Sequence, residues 1–459
     1  MENATEVSDD GDGSSDNLTN IQEILGTTSN DTIYGSTASE VLIGNNNSDT
    51  LMGRGGNDTI YGGLENRTDD SNSDTVSYEY LTNASNKVVV DLSTDAGSAV
   101  VSGSDTDTLY DIENIVGGAG NDTITGSNDV NNLKGEAGDD VFIASSATDG
   151  ADVIDGGTHT NGDTVNYNAL DSNSITVTLA EGSNTATVDV SGAGHDDTIS
   201  NIENVVGSNL EGDTITGNNE TNTLSGMGGD DTLYGEEGAD TLLGGNDNDE
   251  LHGGSENDSI DGEAGNDVIY GDAGADTLVG SAGNDTFIAT NASDGSDSII
   301  GGSDSDTIDY SVITDNSNKI VVNLAASGDT TVDLLTGDDD TINGIENVIG
   351  TAGNDTFTGS ALANSINGGT GTDEVRYDYD NTTGVTVDLS AGTATENGGV
   401  VDTLTSIENV LGSQYDDTFV TATGVTNTID GGANTSMTNV SPTFWEATTT
   451  AADGSHNVT

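Results

Sequence analysis

Apolar residues recur along this chain with two periods, nine and two. From residue 217 to 288 one apolar side chain returns at every ninth position: Leu224, Leu233, Leu242, Leu251, Ile260, Ile269, Leu278 and Phe287. The stretch divides without a gap into GNNETNTLS, GMGGDDTLY, GEEGADTLL, GGNDNDELH, GGSENDSID, GEAGNDVIY, GDAGADTLV and GSAGNDTFI. Position 1 is always Gly, and position 6 is Asp in every copy except the first, where Asn222 stands. The last three residues of each unit predict a short strand whose central side chain faces inward, because strand side chains alternate. The first six predict a turn, with glycine at positions 1, 2 and 4 allowing positive φ. Two units then make one flattened coil of 18 residues, and coils stack about 4.8 Å apart through parallel strand pairing. The expected fold is all-β, a parallel β-helix solenoid. No long apolar stripe of helical period is present.

Shorter runs of the same unit start at Gly26, Gly35, Gly44 and Gly53, and again at Gly117, Gly126 and Gly135. Single or paired copies start at Gly301, Gly350, Gly359, Gly368 and Gly412. A larger repeat of about 60 residues is superimposed on them. It opens with Asp-x-hydrophobic-x-Tyr: DTVSY at 74–78, DTVNY at 163–167, DTIDY at 306–310 and DEVRY at 373–377. An alternating segment follows at 87–93, 174–180, 319–325 and 384–390. Each copy then reaches an Ile-Glu-Asn triplet, whose glutamates are Glu113, Glu203, Glu346 and Glu408. These interludes are expected to continue the same parallel helix with wider coils. Residues 21–26 look like the tail of a fifth copy, so the chain is expected to open partway through a unit. The organisation expected is a disordered acidic segment 1–20, a partial unit 21–73, modules 74–157, 158–305, 306–372 and 373–432, and a non-repeat tail 433–459. That tail holds the single Pro and Trp, Pro442 and Trp445.

Composition makes the cohesion of such a fold a problem. Leu, Ile, Val and Phe make up about a fifth of the 459 residues, and the formal charge is −76. That combination is the composition of a disordered chain. One buried aliphatic side chain contributes about 1.5–3 kcal/mol. Ordering costs about 1–2 kcal/mol per residue, and there are nine residues to each inward apolar one. Burial alone loses, so something must supply cohesion and cancel charge, and a bound cation does both. With 6 basic residues and no Cys, the chain cannot coat a phosphate backbone or build disulfides or thiolate sites. Insertion into a membrane is not expected, since no stretch approaches the roughly 18 apolar residues of a spanning helix. The first six residues show neither a basic nor an apolar region of a secretory signal.

Turns 18 residues apart fall on one edge of the solenoid. Asp231, Asp249, Asp267 and Asp285 therefore form one column, and Asp240, Asp258 and Asp276 the other. A hard divalent ion between adjacent turns meets carboxylates and glycine-turn carbonyls, the oxygen set that Ca²⁺ prefers. Mg²⁺ demands a tighter octahedron. Zn²⁺ usually asks for His or Cys, and the chain holds 4 His and no Cys. The long run offers up to six same-edge junctions, the one involving Asn222 being the weakest.

The unit Gly117-Gly118-Ala119-Gly120-Asn121-Asp122-Thr123-Ile124-Thr125 resembles the RTX, or hemolysin-type calcium-binding, nonapeptide repeat. The resemblance implies a parallel β-roll with several Ca²⁺ ions held in the Gly/Asp-rich turns by the position-6 Asp and backbone carbonyls. It also implies type I secretion and folding on meeting calcium outside the cell. Carried over by position, it adds Asp31, Asp49, Asp58, Asp122, Asp140, Asp306, Asp355, Asp373 and Asp417 as ligands. Glu40, Asn131, Asn222 and Asn364 depart from the pattern, which puts calcium there in doubt.

Other chemistry is weak. Acidic pairs such as Asp139-Asp140, Asp230-Asp231 and Asp416-Asp417 arise freely among 82 acidic residues, so they do not argue for a catalytic dyad. His159, His195, His252 and His456 share no motif. The Gly-rich turns lack the Lys of a phosphate loop. Outward Tyr61, Tyr234 and Tyr270 are too irregular for a sugar-binding or ice-binding stripe. Recurrent outward Thr such as Thr59, Thr123 and Thr232 fits strand propensity. Phe444-Trp445 matches a C-terminal secretion signal poorly. No enzyme activity is expected. The function expected is a calcium-binding structural protein of the bacterial cell surface or its exterior: an S-layer, matrix or adhesin component. Its partners are calcium ions and either further copies of itself or a cell-surface polysaccharide. The alternative is the calcium-binding portion of a larger secreted enzyme or toxin.

Overall fold

The computed structural model describes residues 5–7, 16–18 and 20–439, apart from 65–71, 95, 102, 104, 145–149, 183, 193–195, 291–293, 315–318, 325–329, 335–338, 380–382, 423–425 and 433–436. Among the described residues every regular element is a strand except one single-turn helix, Asn397–Gly399. Contacts divide the chain into two units, Met1–Leu233 and Tyr234–Thr459.

In the second unit, strands Thr241–Asn246, Ser259–Ala264, Thr277–Ala282 and Ser298–Ser303 pair in parallel on one face. Strands Glu250–Ser255, Val268–Ala273, Thr286–Ile288 and Thr307–Asp309 do so on the other. Thr241 lies opposite Ser259 and Ser259 opposite Thr277, the expected 18-residue register. Leu242, Ile260, Leu278 and Ile299 consequently stack inside one face, and Leu251, Ile269, Phe287 and Ile308 inside the other, all buried. The strands are longer than the three residues expected. Val268–Ala273 runs from position 7 into the first three residues of the next unit, so the turn is confined to positions 4–6. Position 2 takes left-handed φ even where it is not glycine, as at Glu236 (78°), Glu263 (66°) and Asp272 (65°). Position-1 glycine serves a different need, space: a Cβ on Gly253 or Gly271 would meet the Oδ2 of the Asp five residues later.

The interludes correct the expectation of wider parallel coils. In the first unit, the chain passes from Thr75–Ser77 on one face to Val88–Asp91 on the other. It reverses through the antiparallel strand Gly97–Val101 and returns along Asp105–Tyr110. Asp105–Tyr110 pairs in parallel with the earlier coil at Thr59–Tyr61, and Val88–Asp91 with the later coil at Thr123–Thr125. Each interlude is therefore a three-stranded antiparallel excursion inserted into a parallel stack. The second excursion, Ile175–Thr178, Thr185–Val190 and Asp197–Ser200, lies on the opposite face, between Val153–Thr158 and Thr214–Thr216. The second unit repeats the alternation. Asp340–Asn343 pairs with Ser298–Ser303 and antiparallel with Thr330–Val332, while Val321–Asn323 pairs with Thr356–Thr358. Thr386–Asp388, Thr393–Thr395 and Val401–Thr405 then occupy the other face. Alternating burial, as in Val88, Val90, Ala99, Val101 and Leu109, fits either strand direction, which is why the pattern alone does not distinguish them.

Short strands also occur among the described residues of the two end segments. Within 1–20, Thr5–Val7 and Asp16–Leu18 pair antiparallel, and Thr5–Val7 also pairs with Thr32–Tyr34. Within 433–459, Met437–Asn439 pairs in parallel with Asp417–Val420. His195, Pro442, Phe444, Trp445 and His456 lie outside the described residues.

Candidate calcium sites

All sixteen Asp side chains singled out by position, from Asp31 to Asp417, are at most 3% exposed. They sit where the turn ends and the strand begins, and 18-residue stacking links them into columns. In the second unit the Asp258 carboxylate accepts the backbone N–H of Asp240 at 2.8 Å, and Asp276 accepts that of Asp258 at 2.8 Å. The column continues to Asp297 and Asp340, at 2.9 and 3.1 Å. On the other edge Asp267 accepts from Asp249, Asp285 from Asp267 and Asp306 from Asp285, each at 2.9 Å. In the first unit Asp122 donates to Asp140 at 2.6 Å, Asp140 to Asp163 at 2.7 Å and Asp213 to Asp231 at 2.6 Å. A second ladder runs the other way outside the first. Position-5 Asn248 accepts the N–H of Asn266 at 2.9 Å, and Asn266 that of Asn284 at 2.9 Å.

These hydrogen bonds use Oδ1. The second oxygen, Oδ2, is buried and meets no hydrogen-bond donor in Asp58, Asp140, Asp163, Asp258, Asp267, Asp276, Asp285, Asp306 and Asp373. It lies beside position-1 glycines, and in the same pocket is the carbonyl oxygen of the next coil's position-1 glycine, as at Gly235 with Gly253 and at Gly253 with Gly271. Buried anionic oxygens without donors are costly unless a cation is present. Burial is the main cause that pushes the carboxyls of Asp140, Asp163, Asp258, Asp267, Asp276, Asp306 and Asp373 up to about 7, with like-charged neighbours adding to it. Asp58 is pushed up to about 8. The donor set is carboxylate and backbone carbonyl oxygen, with no nitrogen or sulfur. It fits Ca²⁺, which accepts six to eight such ligands in flexible geometry.

Not every position-6 Asp presents an open oxygen. Oδ2 of Asp122 accepts Gly118 N–H at 2.7 Å, that of Asp355 accepts Thr351 N–H at 2.8 Å, and that of Asp417 accepts Ser413 N–H at 3.0 Å. Asp31 is closed in the same way by Thr27 N–H, and Asp213 by Ser208 N–H at 2.6 Å. Each of these is the first turn of its run. Glu40, in the second unit of its run, takes Ser36 N–H at 3.1 Å in the same way. The departures at Asn131, Asn222 and Asn364 have a related cause. Their Nδ2 groups donate to the carbonyls of Glu113, Glu203 and Glu346, at 2.8, 2.7 and 3.0 Å. An amide hydrogen there does what a cation would otherwise do.

Several carboxylates of the columns escaped the position rule. The Ile-Glu-Asn glutamates stand in for Asp at the seams: Glu113, Glu203, Glu346 and Glu408 accept the N–H of Asp74, Asp163, Asp306 and Asp373, at 2.8–3.0 Å. Asp74 and Asp163 share the Asp-x-hydrophobic-x-Tyr motif with Asp306 and Asp373, so that motif was a usable signal. Asp107, Asp197, Asp340 and Asp402 lie in the returning strands of the excursions, where no nonapeptide marks them. Each receives a hydrogen bond on Oδ2 from a buried tyrosine: Tyr78 (3.1 Å), Tyr167 (2.9 Å), Tyr310 (2.9 Å) and Tyr377 (3.1 Å).

The family model of the RTX calcium-binding nonapeptide repeat matches residues 22–46, 34–68, 107–142, 213–251, 252–287, 291–311 and 340–375. No curated protein matches the chain. Among solved structures, the crystal structure of extracellular lipase LipA from Serratia marcescens is similar at 18% identity, with a TM-score of 0.17. That likeness covers 52% of this chain and 42% of the lipase chain, less than half its length.

Proposed function

Since RTX calcium-binding nonapeptide repeats run through this chain, we propose that it is a secreted or cell-surface structural protein whose β-roll folds on binding calcium outside the cell. The observation that carries this reading is the set of nine buried Asp Oδ2 atoms with no donor, six of which (Asp140, Asp163, Asp258, Asp285, Asp306 and Asp373) share their pocket with a backbone carbonyl oxygen of the next coil. Among the position-6 aspartates, the ligands are Asp58, Asp140, Asp258, Asp267, Asp276, Asp285, Asp306 and Asp373, and Asp163 joins them. Asp49, Asp231, Asp240 and Asp249 occupy the same column positions. Asp31, Asp122, Asp355 and Asp417 face the first junction of a run with one oxygen already engaged. Bound calcium supplies the positive charge that the columns lack.

The physical consequence is compartment sensing. Extracellular calcium modules bind at about 10⁻⁴–10⁻³ M. Such sites stay empty at the sub-micromolar free calcium of a cell interior, and like-charge repulsion then opposes the coil. At millimolar calcium the same columns hold successive turns together, and metal binding becomes folding energy. The role is mechanical rather than catalytic: an S-layer, matrix or adhesin component, acting through self-assembly or attachment to a cell-surface polysaccharide.

The test is a calcium titration of the full chain followed by far-ultraviolet circular dichroism, with magnesium as control and light scattering on the same samples. The expected result is a cooperative coil-to-β transition near millimolar calcium, absent with magnesium, with scattering that rises as the lattice or fibre assembles. A compact β spectrum in excess chelator refutes calcium-coupled folding. A calcium transition without added scattering at any concentration refutes self-assembly.

A further inference from the structure

The second interlude brings together three side chains that the sequence separates by up to 61 positions. His159 follows the strand Val153–Thr158, Glu203 belongs to the Ile-Glu-Asn triplet, and Glu220 lies in the turn before Thr223–Gly228. Their turns are successive members of one column. Asp163 N–H donates to Glu203 Oε2 at 2.8 Å, and Asn222 Nδ2 donates to the Glu203 carbonyl at 2.7 Å. Glu203 is thus held from both sides, and its remaining oxygen, Oε1, lies 3.2 Å from His159 Nε2. One ligand atom from each of the three residues lies within 4.8 Å of the others. We propose that His159, Glu203 and Glu220 form a binding site for a divalent transition metal of the zinc type, chemically distinct from the calcium columns.

The donor set separates the two kinds of site. Calcium takes oxygen ligands, whereas an imidazole nitrogen with two carboxylates suits zinc. Two ligands each about 2.0–2.1 Å from a tetrahedral zinc stand about 3.3 Å apart, and the imidazole–carboxylate spacing here is 3.2 Å. Burial also fits, since Glu203 is 6% exposed while His159 and Glu220 are exposed. The buried member is fixed by the fold, and the two outer members leave a path for the ion and room for water as a fourth ligand.

Two internal comparisons sharpen the assignment. Glu346 accepts the same backbone N–H in its own module, but Gly302 stands where His159 stands, four residues before the opening Asp. His252 also has two carboxylates near it, Glu250 at 3.2 Å and Asp272 at 3.4 Å. Those approach different ring nitrogens, and the ring is stacked between Tyr234 and Tyr270. They cannot converge on one ion, so His252 serves as a control.

The experiment titrates Zn²⁺ by calorimetry, and Co²⁺ by visible absorption, into the full chain already saturated with calcium. The calcium-saturated background keeps failure here separate from failure of calcium-coupled folding. The expected result is about one equivalent of zinc bound above the weak carboxylate background, with a Co²⁺ ligand-field band. Loss of an outer-shell partner alone weakens metal sites about 10–100-fold, so His159→Ala and Glu220→Gln should each weaken binding by at least about tenfold. His252→Ala should leave it unchanged, and circular dichroism should show all three variants folded. Zinc binding no stronger than the carboxylate background, or equal binding by folded His159→Ala, overturns the proposal.

Discussion

Replacing Asp267 by Asn tests whether the columns act as shared calcium ligands. Asp267 borders two same-edge junctions, with Asp249 before it and Asp285 after it. The amide keeps the Oδ1 acceptor for Asp249 N–H and puts an N–H donor in place of Oδ2, as Asn222 Nδ2 is a donor. At about 10 mM calcium, a site of about 0.1–1 mM affinity stabilises the fold by roughly 1.4–2.7 kcal/mol. Weakening two sites therefore costs about 3–5 kcal/mol. Against this, the variant removes a carboxyl pushed from 3.8 up to about 7 by burial. Discounted for screening by solvent at the turn edge, that removal relieves about 2 kcal/mol in the metal-free state. The two effects have opposite dependence on calcium. Extrapolated to zero calcium, the variant should be more stable than wild type by about 2 kcal/mol, and at 10 mM calcium less stable by about 1–3 kcal/mol. The assay is Tm against the logarithm of calcium concentration for both proteins. The curves should cross, and the variant's slope should correspond to about two fewer ions. Parallel curves, or a variant destabilised also on extrapolation to zero calcium, would refute shared ligation.

The other predictions concern protons and the closures of the columns. The carboxyls of Asp140, Asp163, Asp258, Asp276, Asp306 and Asp373 are pushed up to about 7, chiefly by burial. The metal-free fold therefore holds protons that the unfolded chain releases above about pH 4, and its stability falls as pH rises from about 4 to 7. Calcium-stripped protein should gain β signal in circular dichroism on acidification from pH 8 to 5; an unchanged spectrum would count against the columns as the obstacle to folding. Tyr310→Phe removes the hydroxyl donated to Asp340 at 2.9 Å, so it should cost about 1–3 kcal/mol. Its Tm at saturating calcium should drop while calorimetric calcium stoichiometry stays the same; a fall in stoichiometry would mean that Asp340 is a ligand. Asn364→Asp sets a carboxylate against the Glu346 carbonyl that its amide now satisfies at 3.0 Å. The calcium midpoint of folding should rise, and a fall would show that the turn can become a site.

What was legible in the sequence follows from what is local. Gly at position 1, Asp at position 6 and an apolar residue at position 8 repeat because every coil meets an identical neighbour 18 residues away. Period and column are then the same fact, and Asp258 over Asp276 needs no further information. The excursions were illegible for the opposite reason. Val88, Val90, Ala99 and Val101 alternate as any half-buried strand does, and the choice between parallel and antiparallel neighbours lies in partners outside the segment. The Tyr–Asp pairs were hidden by variable spacing, from 25 residues at Tyr377–Asp402 to 30 at Tyr310–Asp340. His159 carried no motif because its companions come from two later turns of the same column.

The closures explain why the interludes carry tyrosine, glutamate and asparagine at fixed places. An antiparallel excursion interrupts the stack, so the carboxylate on its returning strand has no following turn to share a cation with. At that point a tyrosine hydroxyl covers Oδ2, as Tyr78 does for Asp107 and Tyr377 for Asp402. On the uninterrupted edge the column passes through the longer glutamate to an Asn whose amide needs no cation. Beyond the excursion, the first new Asp folds its Oδ2 onto an N–H of its own turn, as Asp122 does. Protein donors thus close the column ends, and open oxygens remain at the internal junctions, those with the seam glutamates and with the returning strand at Asp107 included. Calcium demand should accordingly scale with the number of internal junctions rather than with the number of Asp residues. Each excursion also adds two strands to one face, about 10 Å of stack at the usual strand spacing. Within each unit the next excursion falls on the opposite face, which restores equal strand numbers and lets the flat turns on both edges stay in register.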